Sequence, residues 1–116
     1  MIRGLSASAN RQIAVFERNH GLPAGEVAYA LARWIAAARR PPGDFDLFCE
    51  RDDTDLRNYD FHVRTLLEIT VHALTRTARR ELIAVIRPAD ARVLDRTVHN
   101  PLTSPELPWW LRRIHT

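Results

Sequence analysis

From Leu56 onward the apolar side chains return every three or four residues. Leu56, Tyr59, Val63, Leu66, Leu67, Thr70, Ala73, Leu74 and Thr77 hold that spacing for about six turns. Ala78, Leu82, Val85 and Ile86 continue it. Residues three and four apart share one face only on an α-helix, so the middle of the chain reads as a long helix starting near Asp53 or Thr54. The run VRTLLEITVHAL, residues 63–74, is rich in β-branched side chains, which makes a strand the competitor over 62–74. The period persists too long for a strand, and helix is favoured. A bend is allowed at Thr75–Arg80.

The same reasoning places two helices before it. Ser6 or Ser8 suits the N-cap of a first helix that ends near Arg18, with Ala9, Ile13 and Phe16 on one face and Gly21 as its left-handed stop. Pro23 in the first turn and Glu26 at the positive end mark a second helix. Its inward stripe is Val27, Leu31, Trp34, Ile35 and Ala38. Its alanines favour helix and permit a close neighbour. Arg39 and Arg40 close it, and Pro41-Pro42-Gly43 stops it.

After the long helix, Pro88 is expected to open another short one through about Val98, with Ala91 and Leu94 inward. Asn100-Pro101 breaks the chain. Ser104-Pro105-Glu106 then reads as the N-cap and first turn of a last helix with Leu107, Trp110, Leu111 and Ile114 on one side. The fold class is therefore all-α: a single-domain bundle of five to six helices with a short C-terminal helix that contains tryptophan. Residues 1–116 form one domain, with an acidic connector at 41–53 and a C-terminal docking segment at 100–116. Phe45, Leu47 and Phe48 suggest that the connector packs across the core. With 116 residues, 46% hydrophobic and 27% charged, the chain matches an ordinary globular composition.

Charge adds a second pattern. All 17 cations are arginine, and the chain is lysine-free. Either selection for phosphate binding or a G+C-rich codon usage produces such an arginine-rich chain, and the small net charge of +3 favours codon usage. Residues 44–60 hold half of the 14 acids, so a negative middle lies between two positive ends. That middle can pair with the chain's own ends or with those of a second copy.

Motifs for common chemistry are missing. The four glycines are not spaced for a phosphate loop, and no Cys-x-x-Cys, His-Glu-x-x-His or Gly-x-Ser-x-Gly occurs. Asp52, Asp53, Asp55 and Asp60 resemble a calcium loop, but Asn58 and Arg64 stand where its central glycine and closing glutamate belong. Asp53, Thr54 and Asp55 read better as a cap that favours the positive end of a helix. Glu68 and His72 share a face at i, i+4, with His62 too far along the axis to join them, and read as an ion pair. Cys49, the single cysteine, reads as an inert thiol in a reducing compartment.

Two surfaces remain as candidate sites. Leu107, Trp109, Trp110, Arg112 and Arg113 have the composition of an interface hot spot. Adjacent tryptophans point about 100° apart on a helix, so one core is not expected to bury both. Arg76, Arg79 and Arg80 are the polyanion-binding candidates. The pairs Arg39-Arg40 and Arg112-Arg113 complement helix C-termini, whereas Arg79-Arg80 sits mid-pattern with no helix end to serve.

The expected function is a non-enzymatic protein-interaction or regulatory protein, a homodimer through its C-terminal segment, with the acidic connector of one copy meeting Arg112 and Arg113 of the other. Its partner is itself or another protein. No cofactor, metal, small-molecule substrate or membrane is indicated, and no apolar run or N-terminal apolar core suggests a span or a leader, which points to a cytoplasmic location. The alternative is a small nucleic-acid-binding protein with a helix-turn-helix at His20–Pro23 and residues 27–40 as recognition helix, a helix that carries alanine where base-reading side chains should project.

Overall fold

The computed structural model describes residues 1–39, 54–99, 101–102 and 105–115. Among them are four α-helices: α1 (Ala7–Asn19), α2 (Glu26–Arg39), α3 (Thr54–Ala73) and α4 (Arg76–Arg96). The residues of the acidic connector and Cys49, Asp52 and Asp53 lie outside the described residues. No helix among the described residues is long and apolar enough to cross a membrane.

α1 follows its sequence signals. The Ser6 hydroxyl accepts from the Ala9 amide at 3.1 Å, and Ala9, Ile13 and Phe16 are buried. Gly21, at φ +66°, ends the helical path in the left-handed region that glycine enters without Cβ strain. α2 begins later than Pro23 suggests, because Gly25 is also left-handed at φ +86° and cannot belong to the helix. Its free N-terminal amides are served from α1: the buried Glu17 carboxylate accepts from Gly25 at 3.2 Å and Val27 at 2.8 Å. Glu17→Ala leaves the buried Val27 amide without an acceptor and is expected to cost about 1–3 kcal/mol in urea unfolding. Glu17→Gln, which keeps an acceptor oxygen, is expected to recover part of that loss.

Residues 62–74 are helical, not strand. The bend expected at Thr75–Arg80 is a complete break at Leu74–Thr75, where α3 ends and α4 begins. Thr75 makes no side-chain cap; instead its amide donates to Gln12 Oε1 of α1 at 3.0 Å.

Among the described residues the expected five to six helices are four, for an identifiable reason. Pro88 does not open a new helix but lies inside α4. Proline removes one backbone donor, yet the buried stripe Ala78, Leu82, Ile86, Ala89 and Val93 runs unbroken past it. Because the helical phase continues, Ala91 and Leu94 point outward, contrary to the expectation that they face the core.

The tail corrects a second expectation. The C-terminal tryptophan helix is only a four-residue 3-10 turn, Trp109–Arg112. Pro108, at φ −57° and ψ 155°, is extended and separates this turn from the proline-rich segment before it. The chain then pairs back on the end of α4. Strand β1 (Thr97–His99) runs antiparallel to β2 (Arg113–His115), with Val98 opposite Ile114.

α2 packs against both α3 and α4 and is the most enclosed helix. Trp34, Val27 and Leu31 of α2 join Leu67 of α3 and Leu82 and Val93 of α4 in one core that also includes Phe16 and Trp110.

Candidate functional site

The densest polar chemistry lies between α3, α4, α2 and the tail. Arg64 is only 6% exposed. Its Nε and Nη2 donate to the two carboxylate oxygens of Asp90, each at 2.9 Å, in the fork-to-fork geometry that suits a planar guanidinium. Its Nη1 donates to Glu68 Oε1 at 3.0 Å. Asp90 Oδ1 also accepts from the indole of Trp34 at 2.8 Å. Above the guanidinium lies Trp110, its ring centroid 4.3 Å from the Arg64 carbon and its Nε1 donating to Thr65 Oγ1 at 2.9 Å. The buried guanidinium is thus paired with two partly buried carboxylates, and the tail covers one side of it.

The network ends at the surface in Glu68 and His72, 2.8 Å apart, the i, i+4 ion pair that the spacing suggested. Partial burial pushes the Glu68 carboxyl up, but its bonds to Arg64 and His72 and their charges outweigh this, so it lies below the ordinary 4.5. A carboxyl held low in the fold adds stability above its unfolded value and loses it as pH falls through the folded one. Glu68→Gln is therefore expected to flatten the acid-side loss. The difference in urea midpoint between pH 7 and about pH 3 should be smaller in the variant.

A second concavity lies elsewhere. A groove of about 540 Å³ runs along α1 to the end of α3. Val15, 43% exposed, lines it with Phe16 and Ala73, while Arg11, Asn19 and His20 supply polar edges. The His20 ring lies 4.2 Å from the Phe16 ring, and its Nδ1 is 3.0 Å from the Phe16 carbonyl.

No family model matches the chain, and no curated protein or solved structure does either. The chemistry of the site rests on its own geometry.

That geometry divides the residues singled out in the sequence. In the tail, Trp110 is buried on its own domain, and half-buried Trp109 meets it edge-on at 5.7 Å. Leu107 stays 39% exposed. Arg112 donates to the Pro105 carbonyl at 3.2 Å. Arg113 donates to Thr97 Oγ1 at 2.8 Å, to the Leu94 carbonyl at 3.1 Å and to the Thr97 carbonyl. It thus serves the C-terminal end of α4, the negative pole at which a cation is favoured.

Arg79 does the same for α3. Its guanidinium reaches back to the carbonyls of Val71, His72 and Leu74 at 3.1, 3.4 and 3.3 Å. The pair that looked mid-pattern has a helix end after all, created by the break at Leu74–Thr75. Arg76 and Arg80 remain exposed. The Arg64–Asp90 pair had no local signal in the sequence, because its members are 26 residues apart and on different helices.

Proposed function

We propose that the chain is a non-enzymatic helical interaction protein that assembles with a second copy of itself. One observation carries this reading. The outer face of α1 presents Arg11, Arg18 and Val15, while the helix's one carboxylate, Glu17, is turned inward onto α2. Residues 44–53 offer the complement: Asp44, Asp46, Glu50, Asp52 and Asp53 interleaved with Phe45, Leu47 and Phe48. Aromatic side chains suit the groove at Val15, Phe16 and Ala73, and carboxylates suit Arg11 and Arg18. Arg112 and Arg113, the earlier candidates for this pairing, already hold carbonyls of their own chain, so α1 replaces them. Leu107 and Trp109 supply a second apolar contact at the tail.

Sedimentation of the full chain at increasing concentration is expected to reach twice the chain mass, with dissociation promoted by salt that screens surface charge. A labelled peptide of residues 43–55 should bind the wild-type protein, and binding should be lost in Arg11→Glu/Val15→Asp. Leu107→Asp tests the tail contact by the same mass measurement. A monomer at every concentration, with the peptide unbound, overturns the reading.

A further inference from the structure

Four arginines have work inside the fold: Arg64, Arg79, Arg112 and Arg113 each bond carboxylates or carbonyls. Among the other arginines of α4, three that share one face do not. Arg76, Arg80 and Arg87 are exposed, and none makes a hydrogen bond or ion pair among the described residues. At 3.6 residues per turn they fall within about 40° of arc on one face and span roughly 16 Å of helix. Ala84 and Ala91 beside this face are exposed and add no bulk between the arginines, and exposed Leu94, in phase with Arg76, follows them on the helix.

The carboxylates near this face already hold other partners, although Glu68 and Asp90 line one cavity with Arg87. Glu81 accepts from the Ser6 amide and hydroxyl at 2.6 and 3.1 Å. Asp90 is held by Arg64 and Trp34. On α3, Glu68 is paired with Arg64 and His72. Asp95, exposed, is the acid of α4 outside these bonds, and it lies eight residues beyond Arg87.

We propose that Arg76, Arg80 and Arg87 form a phosphate-contacting stripe for the backbone of nucleic acid. Duplex DNA carries one charge per about 1.7 Å of axis, so a 16 Å line of guanidinium groups faces roughly nine charges. Backbone contacts of this kind need no base-reading side chain. A protein partner would need a cluster of apolar anchors, and this face offers Leu94 at its far end and Ile83, which is already packed against the core. The stripe stands apart from the recognition helix suggested by the sequence: α2 is enclosed by α3 and α4, whereas this face of α4 is open. It is also independent of the self-association reading, which rests on α1.

The experiment is fluorescence anisotropy with a labelled duplex of about 20 base pairs across 50–200 mM NaCl. Two full-length variants of equal net charge are compared with wild type: Arg76→Gln/Arg80→Gln/Arg87→Gln, and Arg3→Gln/Arg39→Gln/Arg92→Gln, whose residues are also exposed. Circular dichroism verifies that both keep the helical signal. Removing three phosphate contacts should reduce the slope of log affinity against log salt by about 2.7, so wild type loses about 40-fold more affinity across this range than the stripe variant. The second variant should keep a slope near wild type. Equal slopes in the two variants overturn the stripe, as does a wild-type protein that fails to bind the duplex at 50 mM. Displacement of the duplex by polyglutamate at matched charge would assign the face to acidic protein and overturn the nucleic-acid choice.

Discussion

Asp90→Ala is expected to be among the most damaging single substitutions in the chain, costing about 3–5 kcal/mol. The side chain accepts three hydrogen bonds, two from Arg64 and one from Trp34. Truncating it leaves a buried guanidinium with Glu68 as its one remaining carboxylate and removes the acceptor that the Trp34 indole uses. Domains of this size are stable by about 5–15 kcal/mol, so the variant keeps a small margin and melts well below wild type. The cost arises from orphaning Arg64 more than from losing attraction, because an ion pair in the interior must offset its own desolvation. The double variant Arg64→Leu/Asp90→Leu, which removes both charges together, is therefore expected to recover most of the stability. Urea unfolding of the two single variants and the double variant measures this coupling. A cost below about 1 kcal/mol for Asp90→Ala would mean that water already reaches the pair.

Trp110→Ala is expected to cost about 3–5 kcal/mol, the range for deleting a large buried aromatic side chain. Trp110 contributes in three ways: apolar burial, a hydrogen bond to Thr65, and a ring laid on the Arg64 cation. Its loss opens the ionic network to solvent and removes the anchor that brings β2 to β1. Limited proteolysis should then cut near the tail while the rest of the chain stays resistant, and the Trp34 emission should shift to the red. Trp109→Ala, at a half-buried position, is expected to cost much less. Equal losses at the two positions would contradict the edge-on arrangement in which one indole is core and the other is cover.

Helices were legible wherever the relevant force is local. Ser6, Gly21 and the stripes of α1, α2 and α3 announce themselves through spacing and caps, and the period outweighed the β-branched content of 62–74. Two failures have a common cause. Pro88 reads as a helix start because proline suits a first turn, but the buried stripe on either side overrides that local signal. Ser104-Pro105-Glu106 was read as a helix start, but the tail is shaped by its return to α4, which no local signal encodes. Candidate sites behaved alike. Glu68–His72, four residues apart, was visible in the sequence; Arg64–Asp90 and Arg79's grip on α3 depend on how the helices are brought together. In the tail the expectation that one core would not bury both indoles fully agrees with a buried Trp110 beside a half-buried Trp109.

The helix ends have one more consequence. Glu81 of α4 holds the start of α1, Glu17 of α1 holds the start of α2, Gln12 of α1 holds the start of α4, and Arg113 of the tail holds the end of α4. Each helix is thus completed by a side chain that belongs to another. Opening any one of them withdraws support from a second, so partly unfolded forms lose contacts faster than they regain chain freedom. Cooperativity is then built into the capping itself and not only into the apolar core: amide protons in the first turns of α1, α2 and α4 should exchange with solvent through the same global opening, and fragments cut between helices should lack the order they have in the whole chain.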